Sequence, residues 1–412
     1  MQHAPPPTHR YRWAVLGGVW LMYFSFGICV ASTGPLVAPI VRDLGTTYTA
    51  MGAVLGAWQL VYIAAALPLG ALLDRIGVAL GLTLSAGVMA LSMFLRGAAG
   101  DETGLFLAVA LFGLGGPIIS IGAPKLIALW FHGPDRGMAM GIYISGVNIG
   151  GILALSATNA VLMPLTGGSW RAVLWIWGGL VLAAGALWWA LSRHPEARRR
   201  DAAAGGVSKG ESLAALLGIA RLRVVQIVLL MSVGIFFVNH GLSNWLPEIL
   251  RAKGMSPTAA GFWAAIPTVV GVAGALLIPR LAIPERRTAI MGALILAAVA
   301  ATLLLQLGPG IGLATGLILQ GIARSSMMTV AILLLMEAPG VPAARAGMAG
   351  GMFFTVAEIG GVLGPLSVGA LSDASGGFAW PLAAMTGICL GLLALLVLLR
   401  LLEGVARRAP TG

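Results

Sequence analysis

The 412 residues of the chain are 58% apolar and only 9% charged, and their mean hydropathy is +0.95. A soluble domain carries roughly 25% charged residues, so this composition excludes an ordinary soluble protein and indicates that much of the surface faces lipid. A formal net charge of +11 would suit a nucleic-acid partner, but its distribution along the chain indicates a membrane protein instead.

Twelve apolar runs are long enough to cross a bilayer as helices, which takes about 20 residues each. Backbone polar groups in lipid must be hydrogen-bonded within their own segment, so each run is predicted to be helical. The first run exceeds the roughly 7–15 residues of a signal-peptide core, and we interpret it as a retained anchor. The predicted spans are residues 12–38, 50–72, 78–98, 104–130, 136–162, 170–192, 224–247, 257–280, 286–307, 310–337, 345–371 and 378–402.

A polar, basic stretch divides these spans into two sets of six. It contains three consecutive arginines, Arg198 to Arg200, followed by an Ala/Gly/Ser-rich segment. We predict an N-terminal six-helix half over residues 1–192, a cytoplasmic linker over 193–223 and a C-terminal six-helix half over 224–412. The predicted fold class is an all-α membrane protein with twelve transmembrane helices in two pseudo-symmetric halves.

The positions of lysine and arginine predict the orientation of the chain. With both termini inside, 18 of these residues fall on the inner side and 5 on the outer side. Positive loops stay in the cytoplasm, so we expect a multi-pass protein of the bacterial inner membrane with both termini cytoplasmic. This asymmetry accounts for the net charge, and we expect no nucleic-acid partner.

An internal repeat relates the two sets of spans. Residues 148–153 (NIGGIL) align with residues 358–363 (EIGGVL) at an offset of 210, and Gly45 and Gly52 fall on Gly254 and Gly261 at an offset of 209. Transporters built from repeats bind substrate near the midplane, between the repeats.

The sequence lacks the residue patterns that other classes of function require. Cys29 and Cys389 lie in apolar runs at opposite ends of the chain and imply no disulfide framework. No Cys/His cluster has metal-ligand spacing, so we expect no metal and no other cofactor. The spans contain no paired carboxylates and no Ser/His/Asp set, so we predict that the chain is not an enzyme. We expect a monomer.

Residues 70–77 (GALLDRIG), between the second and third spans, resemble the loop motif of the major facilitator superfamily. Val78 and Ala79 stand where that motif continues with basic residues. Residues 244–247 (NWLP), followed by residues 254–256 (GMS), are similar to the cyanate and nitroimidazole permease branch. The resemblance implies a secondary transporter that works by alternating access, in which one half rocks against the other.

Arg324 lies near the middle of the tenth span. A central arginine costs at least about 2.5–3.5 kcal/mol in lipid, so it must face protein or water, and its fork of donors suits a carboxylate or another small oxyanion. The alternative is a structural ion pair with a neighbouring helix. Lys125 lies nearer the cytoplasmic end of the fourth span, where its stem can reach the interface.

Glu358 lies in the middle of the eleventh span, where the first half has the neutral Asn148. Such a carboxylate can exchange a proton during transport or remain in a permanent buried pair, and the sequence leaves both open. His240, in the seventh span, either relays a proton or is a hydrogen-bonded core histidine. Asn244 lies four residues on, so it shares the face of His240.

These residues define the predicted site. The predicted gating residues are Gly70, Asp74, Arg75, Gly77, Lys125, Glu337 and Arg345, with Glu337 and Arg345 expected to form one network. For proton coupling we predict Glu358 and His240. The predicted substrate-binding residues are Arg324, His240, Asn244, Gln320, Glu358, Tyr23, Gln59, Tyr62, Tyr143 and Asn148.

Together these features predict proton-coupled uptake of a small anionic or polar organic solute. The alternative is an efflux antiporter of the same superfamily. Such exporters carry G-P-x-x-G-G in the fifth span, whereas residues 146–151 here read GVNIGG, with Val147 in place of the proline.

Overall fold

The computed structural model describes residues 10–196, 218–338, 340–342 and 346–408, and every regular element in them is helical. This part of the chain contains 12 helices that are long and apolar enough to cross a membrane. They are α1 (Tyr11–Ala31), α2 (Tyr48–Ile76), α3 (Val78–Ala98), α4 (Glu102–Trp130), α5 (Pro134–Ala157), α6 (Trp170–Ser192), α7 (Arg223–Ala252), α8 (Pro257–Leu281), α9 (Arg287–Leu304), α10 (Ile311–Met336), α11 (Ala346–Ser375) and α12 (Ala379–Arg408).

The first span is not one continuous α-helix. Helix α1 ends at Ala31, and a 3₁₀ turn over Gly34–Leu36 leads into a short helix, Val37–Leu44. Pro35 has no backbone N–H to donate, which breaks the α-helical hydrogen-bond pattern at this point. The fifth span is extended in a similar way, since α5 continues through a π-helical turn over Thr158–Leu162.

Helices α1–α6, the first half, and α7–α12, the second half, pack by the same pattern. In the first half α1 packs on α5, α2 and α3 pack on α4, and α3 packs on α6. In the second half α7 packs on α11, α8 and α9 pack on α10, and α9 packs on α12. The largest contacts between the halves are those of α2 with α11 and of α5 with α8. The predicted fold class is therefore confirmed.

Two glycines of the repeated motif explain how each half packs. A Cβ atom on Gly150 would lie 2.0 Å from the carbonyl oxygen of Phe24 in α1, and one on Gly360 would lie 1.9 Å from that of Val233 in α7. Only glycine permits such close approach of two helix backbones. The motif thus repeats because both halves need the same helix-to-helix contact.

The ends of the helices repeat as well. Gly45 lies shortly before α2 and Gly254 shortly before α8. Their φ values are +62° and +87°, a conformation that favours glycine. Thr47 and Ser256 then cap α2 and α8, each accepting a hydrogen bond from a backbone N–H three residues on. We call this end of the bundle the Gly45 end, and the opposite end, where α2 turns into α3, the Gly77 end.

Candidate functional site

A cavity of about 110 Å³ lies between the two halves. Its wall in the first half is apolar apart from one amide, and its wall in the second half is largely polar. The first-half residues are Gly27, Val30, Ala31, Val147, Asn148, Gly151 and Leu155. The polar residues of the second half are Asn239, His240, Ser243, Asn244, Thr268, Gln320 and Arg324, beside Leu246, Ala264 and Pro267.

Arg324 lines this cavity from the middle of α10. Its side chain forms no hydrogen bond and no ion pair with any residue that the structure describes. A guanidinium carries five N–H donors and keeps its charge in proteins, so its natural partner is an anion. The structural ion pair left open by the sequence, including one between Arg324 and Glu358, is therefore not found within the described ranges.

His240 joins the cavity to a buried carboxylate. Its Nε2 atom lies 3.8 Å from Oε2 of Glu358, and its Nδ1 atom lies 3.2 Å from Nε2 of Gln59. The 3.8 Å separation is within the range of an ion pair but too long for a hydrogen bond. Glu358 is 6% exposed, and its Oε2 atom has no hydrogen-bond partner in the described part of the chain. A titratable pair thus lies directly behind the cavity wall.

Gln59 connects this pair to the first half. It lies on α2, is fully buried, and contacts His240 on α7. The indole ring of Trp58, the residue before it, meets the imidazole edge-on at 5.9 Å. Movement of α2 relative to α7 will therefore change the surroundings of His240.

The predicted substrate-binding residues of the first half fall into two groups in the structure. Asn148 lines the cavity, and Gln59 reaches it through His240. Three tyrosines lie elsewhere, in an aromatic cluster between α1, α2 and α5, and do not line the cavity. The rings of Tyr23 and Tyr143 meet edge-on at 4.8 Å, and that of Tyr62 lies 6.2 Å from Trp58. Aromatic packing accounts for their position, which sequence spacing does not reveal.

In the second half the predicted residues His240, Asn244, Gln320 and Arg324 all line the cavity. The prediction missed Asn239 and Ser243, although both flank His240 and Asn244 in the polar stretch of α7. It also missed Thr268 of α8, for which the apolar sequence around it gives no signal. Two of the polar groups are already engaged, because Ser243 donates to the Asn239 carbonyl and Asn244 donates to the His240 carbonyl.

The predicted gating residues that the structure describes lie at the Gly77 end. Asp74 forms an ion pair with Lys125, which joins α2 to α4 within the first half. Gly77 has a φ of +85° and makes the turn into α3, and Gly70 and Arg75 lie on the last turns of α2. Glu337 pairs with Arg287 of α9, and its expected partner Arg345 lies outside the described residues.

At the Gly45 end, polar contacts join the two halves. Asp373, at the end of α11, accepts hydrogen bonds from the backbone N–H groups of Tyr48 and Thr49 at 3.2 and 2.7 Å. The Tyr48 hydroxyl donates to Glu248 of α7 at 2.9 Å, and Arg251 pairs with the same carboxylate at 3.0 Å. At the Gly77 end, each ion pair between described residues stays within one half. The bundle is therefore closed at the Gly45 end, where these hydrogen bonds join the two halves.

The family model described as Major Facilitator Superfamily matches residues 19–339. The chain belongs to the Major Facilitator Superfamily. It is accordingly a secondary transporter and a multi-pass membrane protein, and not an enzyme. The nucleoside transporter NupG, in its crystal structure, has the same fold with a TM-score of 0.76, at 16% identity over 95% of this chain and 99% of that one.

Three bacterial transporters are similar to this chain over 82% to 93% of its length. The uncharacterized transporter YycB of Bacillus subtilis (strain 168) is 26% identical and covers 93% of this chain and 92% of its own. A putative tartrate transporter of Agrobacterium vitis is 23% identical, covering 90% and 89%. The probable galactarate/D-glucarate transporter GudP of Bacillus subtilis (strain 168) is 24% identical, covering 82% and 80%.

Proposed function

We propose that this transporter takes up a small organic anion together with protons across the bacterial inner membrane. The observation that carries the proposal is Arg324, a cation without a described protein partner in the wall of a cavity between the two halves. A charge in the membrane interior costs free energy unless it has a partner, so an unpaired one usually marks a functional site. A substrate carboxylate supplies that partner while it is bound.

The names of the relatives support an organic acid as substrate. Tartrate, galactarate and D-glucarate, for which two of them are named, are all carboxylates. Carboxylates match the planar donor fork of arginine with two parallel hydrogen bonds. The resemblance of residues 244–247 to the cyanate and nitroimidazole branch remains a hypothesis, to which these names add no support.

We further propose the orientation and the division of the chain. The excess of lysine and arginine supports a cytoplasmic position for the termini, the 193–223 linker and the Gly77 end. The Gly45 end then faces the periplasm and is closed in the described state. Residues 1–192 and 224–412 would rock against each other around the cavity, with α2 against α11 and α5 against α8 as the sliding contacts.

The position of the His240–Glu358 pair supports proton coupling. An anion bound at Arg324 adds a negative charge beside His240, which favours a proton on the pair. By thermodynamic reciprocity, a proton on the pair favours binding of the anion by the same factor. The two therefore bind together, which is the requirement for symport. This arrangement favours uptake over the alternative of efflux by antiport, in which proton and substrate must displace each other.

The test is binding and transport by purified protein reconstituted in liposomes. A panel of organic anions is screened by thermal shift, because ligands that bind the folded state raise its melting temperature. We expect Arg324→Gln to lose the shift and Arg324→Lys to keep part of it as a point charge. The matched control is Arg280→Gln, which removes one exposed positive charge at the end of α8. Equal binding by wild type and Arg324→Gln would refute the proposed site.

A further inference from the structure

We infer that the cavity selects solutes with a single carboxylate and an apolar remainder over dicarboxylates and polyhydroxy acids. The inference rests on the proposed function and narrows its substrate class. It departs from the relatives named above, since tartrate, galactarate and D-glucarate each carry two carboxylates and several hydroxyls. Three features of the cavity carry it.

The first feature is the number of cations. Arg324 is the one arginine or lysine among the described residues that line the cavity. His240 lines it as well, but it faces the Glu358 carboxylate at 3.8 Å, which would balance the charge of a proton on the imidazole.

Two further basic residues of the spans are engaged elsewhere. Lys125 pairs with Asp74, and Arg96 is buried in α3, where it donates to the Cys29 carbonyl at 2.9 Å and to the Thr33 hydroxyl at 3.3 Å. A second carboxylate would therefore find no cation.

The second feature is the charge that is already present. Glu358 approaches the cavity through His240, with 3.8 Å between the two side chains. A solute with one negative charge neutralises Arg324. A solute with two leaves an uncompensated negative charge in the membrane interior, close to the Glu358 carboxylate, and this is unfavourable both by desolvation and by repulsion.

The third feature is the wall opposite Arg324. Val30, Val147 and Leu155 present only hydrocarbon to the cavity, beside two glycines and an alanine. On the polar wall, Ser243 and Asn244 already donate to carbonyl oxygens of their own helix, and the other polar side chains, Asn239, Thr268 and Gln320, share that wall with Arg324. Hydroxyl groups on the part of a substrate that faces the first-half wall would therefore lose water and meet Asn148 as the one polar side chain among the described residues of that wall, which is unfavourable. An apolar chain is stabilised there because it leaves water.

The experiment compares matched solutes on the purified full-length transporter by calorimetry and thermal shift. Butanoate is set against succinate, benzoate against terephthalate and hexanoate against gluconate, with butanamide and benzamide as uncharged controls. We expect the monocarboxylate of each charge pair to bind at least about tenfold more tightly, since a buried charged group left without a partner costs at least that much. We also expect hexanoate to bind more tightly than gluconate.

A second cation placed in the cavity tests the reason for this selectivity. Asn148 lines the first-half wall, and Asn148→Lys should shift the succinate-to-butanoate ratio towards succinate by about tenfold. The matched control is Met138→Lys, which adds the same charge at an exposed position of the same helix, outside the cavity, and should leave the ratio unchanged.

The outcomes separate the two proposals. If succinate and terephthalate bind as tightly as their partners or more tightly, the single-charge inference is overturned while organic-anion transport stands. If gluconate binds more tightly than hexanoate, only the inferred preference for an apolar remainder is overturned. If Asn148→Lys folds and leaves the ratio unchanged, the number of cations is not what selects the substrate. If no carboxylate of any kind binds or is transported, the proposed function itself fails.

Discussion

The Asp373 carboxylate accepts hydrogen bonds from both the backbone N–H and the hydroxyl of Thr49, at 2.7 and 2.6 Å. The two residues belong to different halves, because Asp373 ends α11 and Thr49 lies in the first turn of α2. A carboxylate at a helix N-terminus satisfies free N–H groups and interacts favourably with the helix dipole. This contact therefore stabilises the state that is closed at the Gly45 end.

Loss of the Asp373 charge should shift the conformational equilibrium. We expect Asp373→Asn to destabilise the closed end by about 1 kcal/mol, roughly fivefold in population. The measurement is labelling of a cysteine at Leu155, in the cavity wall, by a maleimide added from the Gly45 side, with Cys29 and Cys389 replaced by alanine. Labelling should become faster in the variant.

Asp43→Asn is the matched control for this experiment. Asp43 lies near the same end of the bundle, but it pairs with Arg171 of the same half. Removal of its charge should leave the labelling rate unchanged. Faster labelling in the control variant, or an unchanged rate in Asp373→Asn, would mean that Asp373 does not hold the halves together.

Asp74→Asn should lower transport while leaving folding and substrate binding largely intact. The ion pair with Lys125 lies at the Gly77 end, away from the cavity, so its loss acts on the equilibrium between conformations. Exposed pairs contribute only about 0–1 kcal/mol to stability, so the melting temperature should hardly change. Transport is measured by uptake into liposomes, and binding by calorimetry.

The charge exchange Asp74→Lys with Lys125→Asp shows whether the pair itself matters. Restored transport in the exchanged protein would mean that the attraction between the two side chains is sufficient. If transport stays low, Asp74 has a further partner in another conformation. Normal transport by Asp74→Asn alone would show that the loop motif, which here lacks its usual basic residues, is not needed.

Alanine at Gly360 should destabilise the second half by about 1–3 kcal/mol, the usual cost of overpacking. Its Cβ would lie 1.9 Å from the Val233 carbonyl oxygen, so α7 and α11 would have to separate. Gly141→Ala is the control, because nothing lies within 4 Å of a Cβ at that helical position. Thermal unfolding in detergent should show a lower melting temperature for the first variant and an equal or higher one for the second.

Much of the fold could be predicted because lipid imposes a simple rule on sequence. Long apolar runs, the count of basic residues in loops and the repeated glycine motif are all local patterns. The same rule identifies Arg324, Glu358 and His240 as candidate site residues, because a polar side chain in an apolar run must face something other than lipid.

The contacts that give these residues their surroundings were not predictable from local patterns. Gln59 meets His240 across 181 positions of sequence, and Thr49 meets Asp373 across 324. Such contacts depend on how the halves pack in one conformation. Prediction from local patterns is limited in the same way for Tyr23, Tyr62 and Tyr143. Helical spacing does not distinguish a residue in an aromatic cluster from one in the cavity wall.

The role of Glu358 can be separated from that of a structural residue by the pH dependence of anion binding. If the His240–Glu358 pair takes up the coupled proton, the wild type should bind the anion more tightly as the pH falls from about 8 to about 5.5. The protonated pair is less negative, so it repels a carboxylate at Arg324 less. Glu358→Gln is permanently neutral here, so it should bind with an affinity near the low-pH value of wild type at every pH. Uptake by this variant should no longer respond to an imposed proton gradient.

Melting temperatures of the single variants and of the Arg324→Gln/Glu358→Gln double variant complete this test. If the two charges were only structural, each single change would leave a buried unpaired charge at a cost of roughly 3–5 kcal/mol, and the double change would restore stability. Because the two side chains form no ion pair in the structure, we expect the stabilities of the variants to be additive. A double variant that regains wild-type stability and also transports normally would show that Arg324 and Glu358 are scaffolding, with the substrate held elsewhere.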